Sequence, residues 1–287
     1  MNTARVHDAS VNDGVPRADI RTLTEPAELQ KMVDLLQAVW GTSAPIVNFE
    51  LLTAIAHSGG YVAAAFTLPG ADEARANGFT TPEIWSQTSA ERNPDSIFRA
   101  VDGRAGEMVG ASLGLLARHD GRAALHSHVT GLLPPARGTG LGRALKLHQR
   151  AWALEHGIDV ITWTFDPLVR RNAWFNIAVL GADVDEYLPS FYGVMHDAIN
   201  AGDESDRLHV VWDLTSPIPD TPRDGSTVED PLLVATPGDI VALRRTDNAA
   251  VARWRSTTRE ALTTVLADGR PIAGFTRDGN YVIGSTP

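Results

Sequence analysis

The 287-residue chain contains no cysteine, and this absence excludes several kinds of chemistry at once. Without thiols there are no disulfides, no thiolate metal ligands and no cysteine nucleophile, and the composition suits a reducing compartment. Basic residues are also few, since 25 Lys and Arg stand against 35 Asp and Glu. The formal net charge of −10 argues against nucleic acid as a partner, because neutralising phosphates requires a basic face.

Long apolar runs are missing as well. No uncharged apolar stretch approaches the roughly 18 residues that a membrane-spanning helix needs. Residues 1–18 contain no apolar core of a signal peptide. We therefore expect a cytoplasmic protein that does not bind membranes and that starts with a disordered tail over residues 1–18. The hydrophobic content of 43% is enough to build a sizeable core.

Apolar periodicity divides the chain into a main unit, a linker and a smaller C-terminal unit. Residues 19–214 show alternating helical and strand patterns that predict a mixed α/β sheet. A polar, turn-rich segment at about 67–100 interrupts this order and indicates an insertion, either a surface loop or a lid. Proline and polar residues mark 215–231 as a linker. Residues 232–287 form a C-terminal subdomain that should pack against the main unit, because a unit of this size is marginal alone.

The most informative stretch follows an apolar, β-prone run and precedes a helical pattern. It reads LHSHVTGLLPPARGTGLGRAL, from Leu125 to Leu145. Closely spaced glycines permit backbone angles at which several N–H groups converge on one anion. The helix that follows adds unpaired N-terminal donors and the positive end of its dipole. The stretch therefore predicts a phosphate or diphosphate site.

Spacing separates this loop from two other glycine-rich phosphate loops. A P-loop requires GxxxxGK followed by Ser or Thr, which is missing here. The dinucleotide fingerprint GxGxxG begins at Gly138 and Gly140, but Arg143 occupies its third glycine position. The pattern that fits is R-x-x-G-x-G, running from Arg137 to Gly142.

This loop and its flanks resemble the coenzyme A loop of the GNAT (Gcn5-related N-acetyltransferase) superfamily. The resemblance covers about residues 19–214 and is strongest from Leu125 to Gly193, where NAWFNIAVLGA and YLPSFYG also match. The sequence is similar to a group of predicted acetyltransferases with a C-terminal extension, some of them linked to acylated amino-acid metabolism and succinyl-CoA. The implied fold is α/β: a mixed twisted sheet with splayed central parallel strands, plus a small C-terminal α/β extension.

The function that the resemblance implies is acyl-CoA-dependent N-acyl transfer. An acetyl or succinyl group would pass from acetyl-CoA, or another acyl-CoA, to a small-molecule amine such as an amino acid, by direct attack on the thioester. No metal is implied, and a homodimer is compatible with the sequence. The competing class is a non-catalytic CoA-binding protein that keeps the loop and has lost the acid and base groups.

The resemblance also assigns residues to the cofactor. A backbone N–H near Leu132 or Leu133 would hold the thioester carbonyl. Asn172 and Asn176, one helical turn apart, would lie beside pantetheine, and a helix cap with a core amide is the alternative. The diphosphate would bind the main-chain amides of Arg137, Gly138, Thr139, Gly140, Leu141, Gly142 and Arg143.

Candidates for the general base lie before the loop and at the end of the following strand. His126 and His128 should point to one face of a strand, and an imidazole titrates near neutrality. The alternatives are hydrogen-bonded core histidines, or a His-x-His metal pair for which no third ligand is identified. Asp166, just before Pro167, is the second choice of base, with a turn-capping role as its alternative.

The general acid cannot be the residue that most members of the family use. Many members carry a tyrosine in the helix after the second parallel strand, and this chain has Ile177 at that position. Tyr192 and Tyr187 are the candidates, each with a structural role as the alternative. Arg170 and Arg171 are candidates for binding a carboxylate on the acceptor or on a succinyl donor, and a solvated pair is their alternative.

Overall fold

A computed structural model describes residues 18–67, 106–193 and 203–285. The predicted tail at 1–18 and the predicted insertion at about 67–100 therefore lie outside the described residues, except at their boundaries. Among the described residues, no helix is long and apolar enough to cross a membrane.

The main unit is built on a mixed sheet. Its strands are β1 (Ala18–Thr22), β2 (Tyr61–Thr67), β3 (Met108–His119), β4 (Arg122–Leu132), β5 (Val160–Phe165), β6 (Asp183–Leu188) and β7 (Arg207–Asp213). Their order is β1-β2-β3-β4-β5-β7-β6. Every neighbouring pair is antiparallel except β4 and β5, which are parallel. The predicted mixed α/β fold with a central parallel pair is confirmed, whereas β6 had not been predicted.

Helices cover both faces of this sheet. They are α1 (Pro26–Trp40), α2 (Phe49–His57), α3 (Leu141–Glu155) and α4 (Arg170–Ala173), which continues as a π-helical turn over Trp174–Val179. Strand alternation sends neighbouring side chains to opposite layers. Val62 packs in the cluster with α1 and α2, whereas Ala63 packs in the cluster with α3 and α4. The sheet therefore has an α1/α2 face and an α3/α4 face.

A smaller sheet and two helices complete the chain. These elements are β8 (Leu232–Ala235), α5 (Ile240–Leu243), α6 (Asn248–Ala267), β9 (Ile272–Phe275) and β10 (Asn280–Ile283). The three strands are antiparallel in the order β8-β10-β9. Leu262 of α6 and Phe275 of β9 are fully buried in the same cluster as Ile177 and Leu208 of the main unit. One hydrophobic core therefore serves both units.

Candidate active site

The two parallel strands meet at one end and part at the other. Leu125 lies beside Ile161 and His126 beside Thr162, and no further pairs join β4 to β5. Both strands nevertheless continue, β4 to Leu132 and β5 to Phe165. A gap therefore opens in the middle of the sheet, and its vertex lies just beyond His126 and Thr162.

Backbone donors on β4 face this gap. The N–H of Leu133 donates to the carbonyl of Val109 at 3.0 Å, so Leu133 is bonded to β3. Residues of an antiparallel strand alternate in the direction of their hydrogen bonds, which turns the N–H of Leu132 away from β3 and toward the gap. Of the two residues predicted to offer an N–H to the thioester carbonyl, Leu132 has its N–H toward the gap, whereas the N–H of Leu133 is already bonded to β3.

A β-bulge lies at the vertex of the gap. Ser127 is opposite Gly114 and Val129 is opposite Leu113, so His128 is the extra residue on β4. Bulges re-aim side chains next to functional sites. Here His126 and His128 keep their rings 6.5 Å apart between centroids.

The glycine loop lies at the open end of the gap. Gly138 and Gly140 have φ values of 76° and 88°, which favour glycine. The N–H of Arg137 donates to the carbonyl of Pro134 at 3.1 Å, so Arg137 leaves the predicted run of main-chain donors. The amides from Gly138 to Arg143 donate to no acceptor among the described residues. This run of N–H groups at the start of α3 has the form of an anion site.

Two cationic side chains approach the same loop. The Nε of Arg137 donates to the carbonyl of Leu132 at 3.1 Å, which fixes the guanidinium beside β4. Burial, and then the positive charge of Arg171, lower the pKa of Arg137 below its usual value. Like charges held close together mark a place suited to an anion. The neighbouring Arg170 instead donates to the carbonyl of Thr236 at 2.6 Å and so anchors the C-terminal unit.

The π-helical turn holds a buried side-chain amide. Asn176 is only 5% exposed, and its side chain has no hydrogen-bond partner among the described residues. A buried amide usually finds a partner, so this one is suited to a polar ligand group. Asn172 lies one turn earlier, where its N–H donates to the carbonyl of Val169 at 2.8 Å.

The two predicted bases differ in their surroundings. The Nδ1 of His126 lies 3.1 Å from the hydroxyl of Thr162, across the vertex. Burial, followed by the nearby charge of His128, lowers the pKa of His126 to about 4. His128 is more exposed, and burial lowers its pKa below the usual value. His126 is thus a weak base held by β5, whereas His128 is the more accessible imidazole.

Sequence reasoning missed another histidine on this side of the sheet. The Nδ1 of His209 on β7 lies 2.9 Å from a carboxylate oxygen of Asp185 on β6. Its ring is 5.9 Å from that of His119, and its charge contributes to the lowered pKa of His126 after burial and His128. No local signal indicated this pair, because β6 itself was not predicted.

Asp166 does not have the surroundings of a base. It is 7% exposed, and its oxygens bind Arg244, Arg255 at 2.8 Å and the N–H of Leu168 at 2.9 Å. Asp203 joins both arginines and completes a buried quartet. Although burial alone would raise it, the pKa of Asp166 is lowered to about 2 by these arginines. These contacts favour the structural alternative for Asp166 over a role as base, because its lone pairs already join the end of β5 to Arg244 and Arg255.

The two candidate tyrosines, Tyr187 and Tyr192, also differ in their surroundings. The hydroxyl of Tyr187 donates to Asp206 at 2.5 Å, and burial and that carboxylate raise its pKa well above the usual value. Tyr187 is therefore a structural residue. Tyr192 is 47% exposed and lies against Arg207, whose guanidinium is 5.4 Å from its ring centroid. The role of Tyr192 as general acid stays a prediction. Ile177, at the position where many members of the family carry a tyrosine, is fully buried in the core.

The vertex also holds a residue that sequence reasoning passed over. Lys146 of α3 is buried, and its Nζ donates to Ser127 at 2.8 Å and to Gln149 at 3.2 Å. The same nitrogen lies 4.0 Å from the ring centroid of Trp163 on β5. The available signal was its place between Leu145 and Gln149 on the buried face of an amphipathic helix.

No family model matches the chain, and no curated protein matches it in sequence. Solved structures do match. An acetyltransferase of the GNAT family from Streptococcus pneumoniae aligns with a TM-score of 0.45 and 12% identity, over 68% of this chain and 98% of that one. The fold is similar to that of GNAT acetyltransferases.

Two further matches carry ligands. The Salmonella typhimurium protein yncA, with its cofactor acetyl-CoA, aligns with a TM-score of 0.46 and 17% identity, over 71% of this chain and 98% of that one. NAA60 of Arabidopsis thaliana, in complex with a bisubstrate analogue, aligns with a TM-score of 0.45 and 12% identity, over 69% and 99%. At these scores the alignments do not decide an activity, which has to be argued from the residues of this chain.

Proposed function

We propose that this chain is an acyl-CoA-dependent N-acyltransferase. The observation that supports the proposal is a juxtaposition: the unpaired amides of Gly138–Arg143 lie at the open end of the gap between β4 and β5. A diphosphate on the loop leaves its pantetheine arm beside Leu132, whose N–H faces the gap, and Asn176, whose amide is unpartnered. The residues present thus fit a coenzyme A thioester with its acyl end toward the vertex.

The proposed reaction is direct transfer. The acceptor nitrogen attacks the thioester carbon, the C–S bond breaks, and the new amide bond forms. The amine must lose a proton, and His128 is the group we assign to accept it, directly or through water. The oxyanion that forms during attack is stabilised by backbone N–H groups on the gap side of β4, among which Leu132 is one.

The acceptor is proposed to be a small-molecule amine such as an amino acid, and the acyl group acetyl or succinyl. The acceptor would approach from the α1/α2 face, where His119, His126, His128 and His209 lie. Peptide N-termini are the other acceptor class to include in any assay, since another matched structure is the NatC complex bound to a Gag peptide and CoA. A cytoplasmic location and a homodimer remain predictions.

The loop is tested by adding one methyl group where the diphosphate would lie. Gly138 has a φ of 76°, and a Cβ there meets no atom within 4 Å. Gly138→Ala should raise the Kd for CoA about tenfold, because the left-handed backbone is strained and the new Cβ faces the ligand. Isothermal titration calorimetry measures the Kd directly.

Gly157 provides a matched control after the other end of α3. Its φ is 70°, and a Cβ there also meets nothing within 4 Å. Gly157→Ala should cost similar stability, about 1 kcal/mol, and leave CoA affinity unchanged. Equal CoA affinity in the two variants would contradict the proposal that the loop binds the diphosphate of CoA. Wild-type protein that binds CoA but releases no thiol with any acyl-CoA and a broad panel of amines and peptides would favour the non-catalytic CoA-binding class.

A further inference from the structure

Lys146 places its ammonium at the point where β4 and β5 separate. Its Nζ bonds to Ser127 on β4 at 2.8 Å and lies 4.0 Å from the ring centroid of Trp163 on β5. Ser127 and Trp163 are the residues directly after the last pair of the two strands, His126 and Thr162. The nitrogen therefore spans the vertex, which is where an acyl group entering the gap would end.

The same side chain lies on the face from which the cofactor would enter. Gly142 and Lys146 are four residues apart, so they share one face of α3. Gly142 belongs to the run of unpaired amides, and Lys146 stands one turn further toward the vertex. His126 and His128 face the other side, where the acceptor would bind. Lys146 is thus on the leaving-group side of the reaction and the histidines are on the attacking side.

The ammonium has no carboxylate partner among the described residues. Its contacts are Ser127, Gln149 and the ring of Trp163, although the residue is only 5% exposed. Burial lowers the pKa of Lys146 to about 7. Lys146 in turn affects His126 on the opposite face of β4: its charge is the smallest of the causes that lower the pKa of His126, after burial, His128 and His209. Burying an amine without a counter-charge costs stability, which a functional role explains better than packing does.

The choice of lysine is unusual for this chain. Lys31 and Lys146 are its only lysines, and every other member of its 25 Lys and Arg is arginine. An arginine stays protonated at any pH that a protein meets, whereas a buried lysine can give up its proton near neutrality. Position 146 therefore holds one of the few cations in the molecule that can serve as an acid.

We propose that Lys146 is the general acid that protonates the departing sulfur of coenzyme A. The role rests on the proposed acyl transfer. As the C–S bond breaks, its electron pair stays on sulfur, and the thiolate takes a proton from the ammonium, directly or through the Ser127 hydroxyl. Lys146 is left as a neutral amine and regains a proton from solvent after CoA departs, while the proton lost by the attacking amine goes to the base on the other face.

The energetics of this transfer are favourable. An alkyl thiol such as a cysteine has a pKa of about 8.5, so an acid near 7 donates to its thiolate slightly downhill. The proposed role also supplies the general acid that Ile177, in place of a tyrosine, cannot provide. No tyrosine is needed when the acid reaches the sulfur from α3.

The test compares Lys146→Met with Lys31→Met, which changes the only other lysine. Both variants are assayed for thiol release from the acyl-CoA and amine pair that the wild type uses best. Lys146→Met should lower kcat about 100-fold and keep the Kd for CoA within threefold, whereas Lys31→Met should change neither. Wild-type kcat should fall as pH rises above about 7, because the acid loses its proton, and this fall should be missing in Lys146→Met.

A second measurement keeps the outcome clear if the variant is unstable. Protein labelled with 13C at the lysine side chains gives two signals, of which the one lost in Lys146→Met should titrate near pH 7. A titration above pH 9, an unchanged kcat in Lys146→Met, or a reduced kcat with the wild-type pH profile would each overturn the role of Lys146 and leave acyl transfer standing. A wild-type protein that neither binds nor turns over any acyl-CoA would overturn the proposed function itself.

Discussion

His126 and His128 lie two residues apart on one strand, yet their surroundings assign them different tasks. His126 is bonded to Thr162 at 3.1 Å and is a weak base, with its pKa lowered to about 4 by burial. His128 occupies the bulge and is more open to solvent. The sequence placed both on one face and could not rank them, because the ranking depends on a contact with β5.

We expect His128→Ala to lower kcat about 100-fold, since proton transfer by a positioned side chain contributes an effect of about this size. His126→Ala should cost tenfold or less in kcat, because that ring positions the vertex and carries little of the proton transfer. Steady-state assays of thiol release, with CoA affinity measured in parallel, separate the two. A larger loss in kcat for His126→Ala than for His128→Ala would reverse the assignment.

Among elements, the joint between β5 and α6 depends on the buried quartet of Asp166, Asp203, Arg244 and Arg255. Removing one member of a buried ion pair leaves an uncompensated charge. Asp166→Asn should therefore lower the free energy of unfolding by about 3 kcal/mol, as measured by chemical denaturation. If Asp166 were instead the base, the variant would keep its stability and lose kcat.

The same carboxylate gives the joint a defined pH dependence. The pKa of Asp166 is lowered to about 2 in the folded protein by its arginine partners, against an ordinary value near 3.8. A lowered pKa means that the contribution to stability is complete above the ordinary value and is lost as pH falls toward 2. Wild type and Asp166→Asn should therefore differ most above pH 4 and converge in stronger acid.

The sequence predicted those parts of the fold that a short stretch of residues determines. Glycine spacing predicts the loop from Arg137 to Gly142, and apolar periodicity predicts the helix after it and the mixed α/β pattern of residues 19–214. β6 was not predicted because half of the residues in its sequence DVDEYL are exposed at a sheet edge and the sequence contains no apolar run. The ion pairs of Asp166 could not be predicted from sequence, because Arg244 and Arg255 lie about 80 residues later and no short-range pattern indicates a contact of that span.

At the scale of the whole molecule, the shared core sets the cooperativity of folding. Val265 and Tyr281 of the C-terminal unit and Trp212 and Leu208 of the main unit belong to one buried cluster. Elements that share a core open together. We expect calorimetry to show a single transition, with the calorimetric and van't Hoff enthalpies equal. Two resolved transitions would mean that the segment at 215–231 is a true linker between independent domains.

The quartet also has a consequence for how the protein is made. β5 forms one side of the gap proposed to bind acyl-CoA, and Asp166, directly after β5, forms an ion pair with Arg255. On a chain emerging from the ribosome, residues 125–166 are exposed long before that arginine exists. A newly synthesised chain therefore lacks this support for the proposed acyl-CoA site until Arg255 has been translated.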